Sequence, residues 1–160
     1  MMEKTAMNLN YRKATLKDID LLTKSRIEVL RAANGLSDDA DMTEVKHQSY
    51  EYYRKALHDS THTAYLVFNG DRFAGAGGIS YYQVMPTFRN PSGNKAYIMN
   101  IYTRPEYRRQ GIARRMLDIL IKDAKARGIS FITLEATPMG RPLYEKAGFV
   151  PLNDEMILPE

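Results

Sequence analysis

The stretch that most constrains this chain is residues 97–113, YIMNIYTRPEYRRQGIA. It opens as a mostly apolar run, the pattern of a strand buried on both faces. Pro105 ends that strand, because it offers no backbone donor. A basic turn containing Gly111 follows, and then a long amphipathic helix. Ala113, Leu117, Leu120 and Ala124 recur at helical spacing, and Ile112, Met116 and Ile119 widen the stripe. Arg114, Arg115, Asp118, Lys122 and Lys125 fall outside it. Gly128 marks the helix end, with Arg127 in the last turn.

A strand that passes through a glycine turn into a helix N-terminus forms an anion cradle. The first helical turn carries amide N–H groups with no intrahelical partner and a partial positive charge. Glycine lets a phosphate approach the backbone closely. Arg108, Arg109, Arg114 and Arg115 add full charges. This points to a phosphate-bearing ligand. Taken alone, Arg-x-x-Gly-x-Ala fits equally well a tight turn under solvated arginines. No Gly-Lys-Ser/Thr follows, so it is not a P-loop, and the first glycines of a dinucleotide fingerprint are missing.

Residues 9–13 read as a first strand. Thr15 is a candidate helix cap, with Asp18 completing a variant capping box. Leu16, Ile19, Leu22 and Val29 form one helical face, closed by Asn34-Gly35. The next loop carries Asp38, Asp39 and Asp41. It is either a solvated turn in which Asp41 or Thr43 caps the following helix, or an acidic lip for a cationic substrate. Residues 44–58 read as a second helix, with Tyr50, Tyr53 and Leu57 on one face. Residues 62–68 and 72–83 form a hairpin around Asn69-Gly70-Asp71. Within it, Gly75-Ala76-Gly77-Gly78 predicts a bulge or a closely approached backbone. Residues 84–94 form a loop, with Phe88 and Arg89 at its tip as solvent-exposed residues or substrate contacts. After the central strand and helix, residues 129–136 read as another buried strand, ending in an unusual Glu135. A short helix is expected over 139–147. A last strand is expected from Phe149-Val150, resuming at Met156-Ile157-Leu158.

The order is then β-α-α-β-β-β-α-β-α-β. Residues 97–136 form a right-handed parallel crossover, and helices cover both faces of a mixed sheet. A length of 160 residues suits one domain with a substantial core. The chain has no cysteine, which excludes disulfides, thiol nucleophiles and thiolate metal sites. No apolar run is long enough to span a bilayer, and residues 1–6 lack an apolar signal core, so a cytoplasmic protein is expected. The net charge of +4 suits any anionic ligand. His47, His58 and His62 show no ligand spacing, so no metal is expected.

With these motifs in this order, the chain resembles the GNAT superfamily of acyl-CoA-dependent N-acetyltransferases. Three segments carry the resemblance. Residues 108–113, RRQGIA, resemble the family's Arg/Gln-x-x-Gly-x-Gly/Ala pyrophosphate loop. Residues 100–108 resemble the strand and turn before it, and residues 143–149, LYEKAGF, resemble its C-terminal signature. The resemblance implies a single N-acetyltransferase domain over residues 1–160. Its fold class would be α/β in the α+β sense, with a mostly antiparallel central sheet that contains the parallel crossover. Ile101 and Thr103 main-chain groups, flanking Tyr102, would pair with the pantetheine arm of acetyl-CoA. Amides of Arg109, Gln110, Gly111, Ile112, Ala113 and Arg114 would cradle the pyrophosphate, with added charge from Arg108 and Arg114. Tyr144 would act as general acid beside the sulfur. Thr137 stands where many relatives place an Asn, seven residues before the tyrosine.

The implied reaction is direct attack of an amine on the acetyl thioester. An alkyl amine of pKa about 10.4 costs about 4.6 kcal/mol to deprotonate at pH 7, which favours a base or a water relay. Glu135 is either that base or a structural partner of a basic residue. A tyrosine hydroxyl can protonate the departing thiolate; otherwise Tyr144 is a packed aromatic before the Gly148 turn. The expected partner is a small cationic amine, with no nucleic acid or membrane, and open sheet edges allow a homodimer. Two other classes compete. A CoA-binding module without turnover predicts tight binding with no product, and a nucleic-acid binder predicts steep salt dependence.

Overall fold

The computed structural model describes residues 7–160. The elements are β1 (Leu9–Lys13), α1 (Ile19–Asn34), α2 (Thr43–Asp59), β2 (His62–Asn69), β3 (Arg72–Gln83), β4 (Asn94–Thr103), α3 (Ile112–Ala126), β5 (Ile132–Leu134) and α4 (Arg141–Lys146). Short 3-10 turns, Leu16–Asp18 and Pro105–Tyr107, lead into α1 and follow β4. The capping box forms as expected: the Asp18 carboxylate accepts from the Thr15 amide at 2.9 Å, and Thr15 Oγ1 accepts from the Lys17 amide at 3.3 Å. The Asp41 carboxylate accepts from the Thr43 amide at 2.9 Å at the start of α2, and the Thr43 hydroxyl first and its amide next hold the Asp41 pKa below the usual value.

The sheet order is β1-β2-β3-β4-β5, antiparallel throughout except for the parallel β4–β5 pair joined through α3. Alternation along the strands sends successive side chains to opposite faces. Val67, Ile79 and Ile98 pack under Met116, Leu117 and Leu120 of α3. On the other face, Ala64, Leu66, Phe73 and Ala76 pack under Leu22 of α1 and Tyr53 of α2. Both readings of the glycine-rich segment hold. The β3–β4 register shifts between Ala76 and Gly78. A Cβ at Gly77 would collide with Met116, and one at Gly78 would lie 2.8 Å from His62 Nε2.

Three expectations near the C-terminus need correction. β5 spans Ile132–Leu134 rather than residues 129–136. α4 starts at Arg141, because the Thr137 carbonyl and hydroxyl take up the Gly140 and Arg141 amides and wind a turn first. The last strand is not formed: residues 147–160 contain no strand. Val150, Met156, Ile157 and Leu158 are apolar but more than 80% exposed. Their spacing satisfies a strand pattern, yet a strand exists only where a second edge supplies its hydrogen bonds.

Candidate active site

β4 and β5 pair only at Ala96–Ile132, Tyr97–Thr133 and Ile98–Leu134, and then separate. Just past that point β4 kinks at Asn100, whose φ of 61° is left-handed. The Arg26 guanidinium of α1 donates to Asn100 Oδ1 at 3.0 Å and holds the kink. Beyond it, Tyr102 and Thr103 keep their pairing with β3, while the side of β4 that faced β5 is free of strand partners. Thr103 Oγ1 is buried there without a hydrogen-bond partner.

Each predicted residue has a definite place around this edge. Ile101 packs into the α3-side core, and Tyr102 packs on the opposite face beside Glu28. Burial, followed by Glu28, pushes the Tyr102 hydroxyl up to about 12. Arg104 makes a bidentate pair with Glu28 at 2.9 and 3.1 Å and lies over the Phe73 ring. That hydrogen-bonded pair holds the Glu28 carboxyl below its usual range. Arg104, the first residue of the basic cluster, therefore ties β4 to α1. Arg108 Nε donates to the Thr103 carbonyl at 3.2 Å.

The loop then takes two left-handed steps, at Arg109 (φ 60°) and Gly111 (φ 82°), on either side of Gln110. Nothing lies within 4 Å of where a Gly111 Cβ would stand, so the space above the turn is open. The first α3 hydrogen bond runs from the Arg115 amide to the Gly111 carbonyl, which leaves the Ile112, Ala113 and Arg114 amides without intrahelical partners. Ile112 is buried and anchors this end of the helix. Arg114 Nε donates to Asp118 at 3.2 Å, so its charge is shared. Among the described residues, Arg108, Arg109 and Arg115 form no ion pair.

On the far side of the split, an open groove of about 1160 Å³ is lined by Tyr82, Tyr97, Glu135, Tyr144 and Glu145, among others. Tyr144 stands on α4, half-buried, with its ring edge against Phe149 at 6.3 Å. Burial raises its pKa and keeps the hydroxyl protonated. Glu135 lies just past β5 and is exposed, rather than buried within a strand. Among the described residues it has no basic partner. It sits beside Tyr97, whose pKa is raised by burial first and by Glu135 next. Asp38, Asp39, Asp41, Phe88 and Arg89 do not line this groove.

Sequence reading missed one cluster, which reaches the groove only through Ser80. Tyr52 Oη lies 2.9 Å from His62 Nδ1 and 2.6 Å from Ser80 Oγ, and His62 Nδ1 is 3.1 Å from Ser80 Oγ. His62 is buried and packs edge-on against Tyr52 and Tyr53; burial pushes its pKa down to about 4. The hairpin register places His62 opposite Ser80 only through a shift between Val67 and Phe68; counting back from the Asn69–Arg72 pair would have set His62 against Ile79. Nothing in the sequence signals Arg26 with Asn100, or Glu28 with Arg104. Among the described residues no cluster of His, Asp and Glu has the makings of a metal site, and no helix is long and apolar enough to cross a membrane.

A parallel strand pair that splits beside a glycine-led helix N-terminus, with antiparallel strands beyond it, is the architecture of an acetyltransferase fold. The chain belongs to the acetyltransferase (GNAT) family, whose profile matches residues 30–149. It is similar to a predicted acetyltransferase from Clostridium acetobutylicum crystallised with acetyl-CoA. The two are 34% identical, with a TM-score of 0.86 and coverage of 94% of this chain and 96% of that one. A GCN5-related N-acetyltransferase from Ralstonia eutropha shares the fold at 24% identity and a TM-score of 0.82, covering 96% and 99% of the two chains. An aminoglycoside N-acetyltransferase in complex with CoA shares it at 10% identity and a TM-score of 0.73, covering 99% of each. No match was found among curated proteins.

Proposed function

We propose that this protein transfers the acetyl group of acetyl-CoA to a primary amine of a small, cationic acceptor, with Tyr144 as general acid. One observation carries the reading: the freed edge of β4 leads directly to the uncommitted amides of Ile112, Ala113 and Arg114. An extended amide-bearing arm ending in a pyrophosphate needs such a strand edge followed by such a cradle. The relative crystallised with acetyl-CoA supports this choice of ligand.

Bound there, acetyl-CoA supplies a thioester whose acyl carbon the acceptor nitrogen attacks, with loss of the thiol. Ile101 and Thr103 main-chain groups align the arm along β4, with Tyr102 anchoring the strand from behind. The amides of Arg109, Gln110, Gly111, Ile112, Ala113 and Arg114 take the pyrophosphate, and the Arg108 guanidinium adds charge beside Thr103. Tyr144 donates its phenolic proton to the leaving sulfur, and the second proton, which the nitrogen sheds as the amide forms, returns through water to the Tyr144 oxygen. Burial raises its pKa, so the proton is present at neutral pH. The acceptor arrives as an ammonium and must lose a proton. The exposed carboxylate of Glu135, in the same groove, takes it through water.

Glu145 is paired with Arg141 at 2.7 Å, and Glu135 and Glu155 outnumber Lys125 among the other charged groups lining the groove, which favours a cationic acceptor. The aminoglycoside acetyltransferase that shares this fold is consistent with such an acceptor. The test is calorimetric titration of acetyl-CoA, followed by free-thiol release across a panel of polyamines, aminoglycosides and amino-acid derivatives. Binding together with amine-dependent thiol release is expected. Binding without release from any amine would leave a CoA-binding module in its place.

A further inference from the structure

The cluster of Tyr52, His62 and Ser80 takes no part in the proposed transfer, yet Ser80 lines the groove. Its three polar atoms all lie within reach of one another: Tyr52 Oη is 2.9 Å from His62 Nδ1 and 2.6 Å from Ser80 Oγ, and Nδ1 is 3.1 Å from Oγ. A further contact leads away from the ring, from Ser80 Oγ to Met99 Sδ at 3.6 Å. His62 is 6% exposed, and its Nε2 is buried without a partner.

The surroundings keep the ring neutral. α2 packs the Tyr52 and Tyr53 rings against it, β3 brings Ser80 and the bare backbone of Gly78, and α1 brings the positive charge of Arg26. A neutral ring carries one proton, on Nδ1 or on Nε2. Nε2 is unpaired either way, so the bonds made around Nδ1 decide. With the proton on Nε2, Nδ1 can only accept, and the two hydroxyl protons make two bonds. With the proton on Nδ1, the ring donates to Tyr52 Oη, Tyr52 donates to Ser80 Oγ and Ser80 donates to Met99 Sδ, which makes three. The second arrangement gains a bond, and it points the Ser80 proton away from the buried ring.

We propose that Ser80 donates a hydrogen bond to a neutral oxygen of the acceptor amine, a hydroxyl or an amide carbonyl, and that the chain from His62 through Tyr52 holds it in that polarity. This rests on the groove being the amine site of the proposed transfer. A thioether sulfur is a weak acceptor, so an oxygen displaces Met99 from the Ser80 proton. A hydroxyl that already accepts a hydrogen bond is also the stronger donor. The register puts Ser80 near the amine. Ser80 lies opposite Tyr97, Tyr97 lies opposite Thr133, and Glu135 stands beside Tyr97 in the same groove. Two strand spacings of about 4.8 Å put Ser80 and Thr133 about 10 Å apart along the sheet. The nitrogen and the oxygen of one small molecule can therefore meet Glu135, through its water, and Ser80 together. Glu135 and Glu155 outnumber Lys125 in the groove, which disfavours a carboxylate as that oxygen. The acceptor class is thus an amino alcohol, an aminosugar or an amino-acid amide, and a plain polyamine fits less well.

The test compares amines matched in charge and number of heavy atoms: ω-amino alcohols from propanolamine to hexanolamine against the corresponding n-alkylamines. Calorimetry on the protein with saturating CoA reads their binding without turnover. Ring-nitrogen NMR, with the His62 signals assigned through His62→Asn, reads the tautomer. At the best chain length, the preference for alcohol over alkylamine should fall by about threefold or more on Ser80→Ala, the loss expected for one hydrogen bond. Where transfer is measured, the change should appear in the Michaelis constant for the alcohol rather than in turnover. The His62 proton should sit on Nδ1. A preference that is the same in wild type and Ser80→Ala at every chain length would overturn the proposal, and so would a His62 proton on Nε2. Thiol release with such an unchanged preference would leave acetyl transfer standing without this role for Ser80. A Ser80-dependent preference without thiol release would do the reverse.

Discussion

The Arg26 guanidinium, on α1, donates to Asn100 Oδ1 at 3.0 Å, and Asn100 is where β4 takes its left-handed step. One hydrogen bond thus links the helix on one face of the sheet to the kink that frees the strand edge. Arg26→Ala should lower stability by about 1.5–3 kcal/mol, the range for a hydrogen bond to a charged group. It should also weaken acetyl-CoA binding, read by thermal melts and calorimetry. Asn100→Gly should keep binding, because glycine adopts positive φ freely, whereas Asn100→Val should lose it.

Tyr144→Phe keeps the ring against Phe149 and removes only the hydroxyl. Turnover should fall by about 10²–10⁴-fold, the range for a general acid, with little change in the Michaelis constant for the acyl donor. Steady-state kinetics decide this, and unchanged turnover would make Tyr144 a packing residue.

At Gly111 the backbone is left-handed and the space above it open. Gly111→Ala should fold with a loss of about 1–2 kcal/mol from the backbone alone. Gly111→Trp should abolish the heat of acetyl-CoA binding by filling the cradle. Binding that survives in the tryptophan variant would place the pyrophosphate elsewhere.

His62 carries the pH prediction. Its pKa is about 4 folded and about 6.5 unfolded, so the unfolded chain binds the proton first. Stability from the neutral ring is therefore complete above pH 6.5. It declines as pH falls towards 4, by about 3 kcal/mol in all, and is flat below. Denaturant midpoints measured between pH 7 and 4 should show this slope in wild type. The slope should be reduced in His62→Asn.

Gly77 faces Met116 and Leu120 of α3 with no room for a side chain. Gly77→Val should cost about 1–3 kcal/mol by overpacking. The loss should show as a lower denaturant midpoint with an unchanged slope.

Local signals made most of the fold legible. The Thr15–Asp18 capping box, the Asn69-Gly70-Asp71 turn and the α3 stripe each lie within a few residues, and each forms as read. The parallel crossover followed from chain order. The last strand failed because periodicity reports that a segment can pair, not that it does: β5 ends the sheet with an open outer edge, and residues 147–160 do not take it. Glu135 was read as buried because an apolar run precedes it, yet β5 ends one residue earlier and leaves it exposed.

The sequence by itself determined the order of elements, the apolar faces and the glycine turn ahead of α3, because these depend on neighbours along the chain. Tertiary structure decided which arginines remain free. Arg104 is spent on Glu28 and Arg26 on Asn100, across 76 and 74 residues, while Arg108 turns back to the Thr103 carbonyl. It also gathered Tyr52, His62 and Ser80 into one cluster and set Glu135 beside Tyr97. Those pairings have no local signature. They arise when packing two helical layers on one sheet brings polar groups together out of water, where each must find a partner.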